Sequence, residues 1–358
     1  MNHVNQSLPV QGQKRFLNTL EGHKSDRIPL WFMRQAGRYL PEYRELRTKK
    51  GSFLDMAYDP DAACEVTMQP IRRYQMDAAI IFSDILVIPH ALGQHLEFVA
   101  GEGPKLDPIH DGSGLKNLGY SKFSQTLNPV YQALKNTRAA LSSEGFHDTA
   151  LIGFAGAPWT VATYMVEGGG SKDFAHVKKF AYSDPDNFQA LIDLLVEATS
   201  AYLIEQVNAG AEALQIFDSW SGALDSDGFK RWVIRPAQQI VKTVKDTHPH
   251  IPIIGFPKGA GQSYLAYVSE TGVDAVGLDT AVNTKWAASA LQNQMPVQGN
   301  LDPIALLAGG DAMKRAAERI LSDLSAGPFI FNLGHGINKD TPPEHVAELV
   351  EFVRGFQR

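Results

Sequence analysis

Eight short apolar runs recur along the chain, each bounded by turn-forming residues: 28–32 (IPLWF), 77–82 (DAAIIF), 150–156 (ALIGFAG), 213–218 (ALQIFD), 251–256 (IPIIGF), 274–279 (DAVGLD), 295–300 (MPVQGN) and 328–334 (PFIFNLG). Runs this short, and apolar almost throughout, fit strands buried on both faces, as parallel sheets require. Stretches with helical periodicity separate them, among them 185–210 and 285–294. Gly210 and Gly272 follow helical stretches where a C-terminal glycine cap belongs. Strand and helix alternating eight times predicts the α/β class and a single-domain (β/α)8 TIM barrel with a core over about 15–356. The last four repeats are tight and the early ones long, so insertions are expected after the early strands. Residues 93–119, rich in Gly and Pro, have the character of an excursion containing a hairpin. A doubly wound open sheet would alternate in the same way. Against it, no G-x-G-x-x-G follows the first run.

A barrel places its chemistry where the strands end at their C-terminal face. The residues just past the eight runs are then the candidates: Arg34 and Arg38, Asp84, Trp159 and Tyr164, Ser219, Lys258, Asp279, Asn300 and Asp302, and Asn332 and His335.

Composition narrows the choice. The 358 residues are 44% hydrophobic and 20% charged, as in a globular protein, and the net charge is −6. A nucleic-acid surface normally needs a basic excess, so any anion site must be local. Cys64 is the only cysteine, which excludes an internal disulfide and a Cys-paired zinc site, and no histidine–carboxylate cluster has metal spacing. No export signal is evident at the start and no window of ~18 apolar residues occurs, so no membrane span and a cytoplasmic location are expected.

The stretch MRQAGRYLPEYR (33–44) concentrates arginines behind the first run. Arg34 and Arg38 stand four apart, so a helical turn would aim both at one point, and paired guanidinium groups bind carboxylate or phosphate in a bidentate way. Gly37 between them allows the backbone to approach a ligand. A solvated salt-bridge face with Glu42 and Glu45 is the alternative, and it is stronger for Arg44 and Arg47. Asp84 follows a buried strand directly, where it either caps the next segment or accepts N–H bonds from a ligand. In 153–174 (GFAGAPWTVATYMVEGGGSKDF), Gly156, Ala157 and Pro158 would admit a flat ligand, Tyr164 could point a hydroxyl inward, and the triple glycine suggests a mobile loop. Ser219 lacks the nucleophile-elbow context. His335 sits between two glycines at the end of the eighth run.

PLWFMRQAGRYLPEYRE and IGFAGAPWTVATYMVEGGGS resemble the two signature segments of the uroporphyrinogen decarboxylase family, of bacterial type, in haem biosynthesis. MDAAIIFSDIL and NLGHGI are similar to its second- and eighth-strand segments, and the likeness runs from about Arg15 to the C-terminus. The resemblance implies a (β/α)8 homodimer that decarboxylates the four acetate side chains of uroporphyrinogen III, giving coproporphyrinogen III, without a cofactor. It implies substrate contacts from Arg34, Gln35, Ala36, Gly37 and Arg38, and from Arg47, Asp84, Tyr164, Ser219 and His335, with Asp84 and Arg34 carrying the chemistry. Trp220 stands where some members have histidine, so no catalytic role is expected there. A zinc-dependent methyltransferase of the same superfamily would need two cysteines, which this chain lacks. A non-catalytic porphyrinogen carrier is the other alternative.

Overall fold

The computed structural model describes residues 14–99 and 101–357. Among these described residues nine strands form, β1 (Ala78–Ile80), β2 (Leu96–Val99), β3 (Gly103–Leu106), β4 (Ala150–Gly156), β5 (Ala213–Asp218), β6 (Ile253–Pro257), β7 (Ala275–Gly277), β8 (Val297–Leu301) and β9 (Phe329–Leu333). Seven of them make one curled, all-parallel sheet in the order β1-β4-β5-β6-β7-β8-β9. Seven of the eight apolar runs thus become its strands, in chain order, with helices between them. The excursion at 93–119 contains the antiparallel hairpin β2–β3, with Leu96 opposite Leu106. Gly210 and Gly272 sit just past helices Pro185–Asn208 and Tyr264–Glu270, both with positive φ.

The first run departs from the expected eight-stranded barrel. Residues 28–32 make only an isolated parallel bridge, Leu30 to Phe331. Pro29 has no N–H to donate, so a regular ladder cannot propagate through it. The run still touches both edge strands of the sheet. The Phe331 N–H donates to the Pro29 carbonyl (2.9 Å), and the Asp77 N–H donates to the Leu30 carbonyl (2.9 Å). Side chains replace the missing ladder bonds. Asp77, buried, accepts the Leu30 N–H at 2.9 Å and both terminal nitrogens of Arg27 at 2.8 and 2.6 Å.

Register decides what faces the interior. Gly156, Phe217 and Phe256 are paired neighbours across β4, β5 and β6. The rings of Phe154, Phe217 and Phe256 meet edge to face, at 5.6 and 5.9 Å between centroids. Such contacts add about 0.5–1.5 kcal/mol each beyond burial. Beside them runs a fully buried polar chain: Trp31 Nε1 donates to Gln298 Oε1 (2.7 Å), and Gln298 Nε2 donates to Gln215 Oε1 (3.1 Å). These bonds tie the first run across the interior to β8 and β5.

Candidate active site

At the C-terminal end of the sheet, the loop carrying Arg34 is built by its neighbours. Asn332, at the end of β9, accepts the Met33 N–H with its side-chain oxygen (3.0 Å), and the Ile337 N–H donates to the Met33 carbonyl (2.9 Å). Residue 33 is therefore clamped on both sides by the loop that contains His335. Arg34 follows in the left-handed region at φ 58°, a conformation non-glycine residues rarely hold unless the surroundings impose it. The expected helical turn over 34–38 is absent, because the helix begins only at Pro41. Positive φ instead turns the Arg34 side chain across Gly336, whose missing Cβ leaves room for it.

Arg34, Asp84, Tyr164, His335 and Lys258 come together electrostatically. Asp84 is half-buried just past β1, and one carboxylate oxygen accepts the Leu86 N–H at 2.8 Å. The capping reading of this residue is thus met, and the second oxygen has no hydrogen-bond partner among the described residues. Burial pushes the Asp84 carboxyl up to about 6, against the pull of the Leu86 N–H and of Arg34. Tyr164, half-buried, is pushed up to about 12 by burial and then by Asp84, so it stays protonated. Burial, Arg34 and Lys258 lower His335 to about 4, so its imidazole is neutral at physiological pH. Tyr58 and Tyr202 also feel the Asp84 charge. Neither had a sequence signal, because they arrive from helical segments rather than strand ends.

The remaining candidates divide. Arg38 and Arg47 both flank the Tyr43 hydroxyl. Among the described residues Arg38 and Arg34 make no ion pair; Glu42 is paired with Arg73 instead (2.9 Å), so the salt-bridge alternative does not describe these two arginines. Arg44 bonds the carbonyls of Arg38 and Tyr39 at 2.8 and 3.1 Å and so fixes the loop rather than decorating a helix. Arg47 donates to the Gly51 carbonyl at the end of its own helix. The Gln35 side chain faces away from the mouth. It accepts the Ile80 N–H (2.8 Å) and donates to the Ala78 carbonyl (3.1 Å), stitching its loop to β1. Ala36 and Gly37 lie half-buried in the same turn. Asp279 and Asn300 hold loops together: Asp279 accepts from Gly259, Tyr264 and Ala281, and Asn300 donates to the carbonyls of Asp279 and Val282. The triple glycine is docked rather than loose, for the Leu106 N–H of the hairpin donates to the Gly168 carbonyl at 3.0 Å.

Behind Tyr164 stands a group the strand pattern concealed. Asp218, the last residue of β5, is buried and pushed up to about 7 by burial, and one of its oxygens accepts from Thr160 Oγ1 (2.5 Å). The same hydroxyl accepts the Trp220 N–H (3.2 Å), while Trp159 Nε1 donates to the Trp220 carbonyl (3.0 Å). Trp220, held this way, stacks on Tyr164 at 4.1 Å. Its role is to support that ring. Cys64 lies half-buried on helix Pro60–Tyr74, its thiol pushed up by burial. Among the described residues, no three His, Cys, Asp or Glu side chains converge as a metal site would, and no helix is long and apolar enough to cross a membrane.

A parallel α/β sheet whose strand ends gather unpaired cations round one half-buried carboxylate defines an enzyme-type site for a polyanionic small molecule. The chain belongs to the uroporphyrinogen decarboxylase (URO-D) family, which it matches over residues 11–356. It is 53% identical to uroporphyrinogen decarboxylase of Rhodospirillum rubrum over 97% of this chain and 99% of that one. With the enzyme of Sphingopyxis alaskensis the figures are 55%, 96% and 98%. In structure it is similar to a methyltransferase from Methanosarcina mazei, with a TM-score of 0.79 at 20% identity, covering 95% of this chain and 97% of that one. A B12-independent methionine synthase from Shewanella gives a TM-score of 0.55 at 10% identity, over 92% and 96%. At these identities the two structures speak to the fold alone.

Proposed function

We propose that this chain is a uroporphyrinogen decarboxylase that converts the four acetate side chains of uroporphyrinogen III to methyl groups, giving coproporphyrinogen III and four molecules of carbon dioxide. The observation that carries the reading is Asp84, a half-buried carboxylate that feels the Arg34 charge and keeps one oxygen without a hydrogen-bond partner among the described residues. Four pyrrole N–H groups can converge on such an acceptor, and the substrate's carboxylates need cations in a protein of net charge −6.

The chemistry follows from the substrate's own electronics. Protonation of a pyrrole α-carbon gives an iminium cation, and loss of carbon dioxide sends the C–C bonding pair into it. The resulting exocyclic methylene then takes a proton and becomes the methyl group, and the α-carbon gives back the proton it first accepted, restoring the pyrrole. Each cycle thus consumes one proton and exchanges an acetate carboxylate for a hydrogen. Asp84, ionised, stabilises the cationic intermediate electrostatically. With a pKa near 6 it also lies closer to neutrality than His335 or a Tyr164 raised to about 12, which suits it better to proton transfer. Arg34 orients the reacting carboxylate, and Arg38, Arg47, Ser219, His335 and the 35–37 backbone bind the other side chains. The pyrrole is its own electron sink, so no cofactor is required.

In the same reading residues 28–32 act as the eighth strand, completing a closed one-domain barrel, and the enzyme works as a cytoplasmic homodimer. Contacts of the 28–32 run with both β1 and β9 edges support the closure. Anaerobic incubation with uroporphyrinogen III, without added metal or cofactor, should yield hepta- to tetracarboxylate porphyrinogens. Binding without product would replace the enzyme by a carrier.

A further inference from the structure

Lys258 is the first residue past β6, in the turn that follows the strand. Phe256 points to the interior, where its ring meets Phe217 and lies over Gly277. Two residues on, the backbone has turned, and the Lys258 N–H reaches the Phe256 carbonyl at 3.1 Å. Register confirms the level: Phe217 pairs with Phe256, Asp218 pairs with Pro257, and the Lys258 N–H donates to the Asp218 carbonyl at 3.0 Å. That bond holds Lys258 beside the end of β5, which Ser219 follows.

The lysine is half-buried and makes no ion pair among the described residues. The inward carboxylate on the adjacent strand end is Asp279, whose two oxygens already accept the N–H groups of Gly259 and Ala281 and the Tyr264 hydroxyl. Removing an ammonium group partly from water without a counter-ion is costly, so the site holds a cation awaiting an anion. Its charge also reaches His335, across the mouth on the β9 loop.

We propose that Lys258 is a substrate-binding residue that grips a carboxylate of the tetrapyrrole at the β6 end of the mouth. This rests on the uroporphyrinogen reading above. Lysine suits the task because a point charge on a flexible stem can follow a carboxylate as the macrocycle turns between decarboxylations. Ser219, alongside, can donate to the same group.

Two measurements on Lys258→Met and Lys258→Arg test it. In steady-state assays Lys258→Met should raise KM for uroporphyrinogen roughly ten- to a hundred-fold, the range for losing a charged hydrogen bond, with kcat changed much less. Lys258→Arg should recover most of the loss. Separately, with no substrate present, the His335 pKa followed by NMR should rise in Lys258→Met and stay low in Lys258→Arg. An unchanged KM in Lys258→Met overturns the proposal. An unmoved His335 overturns the placement of the charge in the mouth. If the parent protein fails to turn over uroporphyrinogen, the functional reading falls, while the histidine titration still reports on the geometry.

Discussion

Arg34 occupies the space that any side chain on Gly336 would need. A Cβ there would stand 2.5 Å from Arg34 Cγ and 2.9 Å from Nε, and closer still to Cδ. The glycine at 336 is thus a requirement of the arginine at 34, two positions far apart in sequence and adjacent at the mouth.

Gly336→Ala should therefore act as a lesion of Arg34. Activity is expected to fall by at least tenfold, with thermal stability changed little because the clash is relieved by moving an exposed side chain. Combining Gly336→Ala with Arg34→Met should cost little more than Arg34→Met alone, as groups acting as a unit are non-additive. Additive losses in kcat/KM would separate the two residues.

Asn332→Ala should damage both stability and activity. It strands the buried Met33 N–H, at a cost of about 1–3 kcal/mol, and frees the loop that aims Arg34. Urea unfolding reads the first effect. Weakened substrate binding beyond that of a comparably destabilised variant elsewhere reads the second.

Asp84 and His335 should tilt the pH dependence of stability in opposite directions. Asp84 rises on folding from 3.8 to about 6, so across that window the native state holds a proton the unfolded chain has released, and stability falls as pH rises. His335 drops from 6.5 to about 4, so the unfolded chain holds the extra proton and stability climbs with pH. Relative to the parent, Asp84→Asn should gain stability between pH 4.5 and 6.5 and His335→Asn should lose it. Each change is on the order of 2 kcal/mol at most. Parallel profiles for both variants would contradict the two environments.

Thr160→Val removes the donor to Asp218 and the acceptor for the Trp220 N–H while keeping the shape of the side chain. We expect a loss of about 1–3 kcal/mol and a several-fold fall in kcat as Tyr164 loses its stacked support. Thr160→Ser, which keeps the hydroxyl, should retain kcat. If both variants behave alike, the hydroxyl is not the supporting group.

Periodicity alone located seven of the sheet's strands, since buried parallel strands must be apolar almost throughout. It overstated the first run, because Pro29 and the side chain of Asp77 replace ladder bonds that no hydrophobic pattern can reveal. At the mouth, strand-end position found Arg34, Asp84, Tyr164 and His335. The helical spacing argued for Arg34 and Arg38 failed, because a positive φ at Arg34 is imposed by contacts with β9, remote in sequence. Gln35 looked like part of an arginine motif and is instead a strut for β1. Asp218 was hidden within a run that reads as strand, and Tyr58 and Tyr202 reach Asp84 only through tertiary packing.

The clamp on Met33 has a bearing on how the protein is made. Its partner, Asn332, lies 299 residues further along. While the ribosome works through that distance, the first loop has its local ties through Gln35 and Arg44 but lacks the clamp that aims Arg34. Catalytic competence must therefore arrive late and abruptly, and a nascent chain interrupted before β9 would carry most of the sheet yet no assembled grip on its substrate.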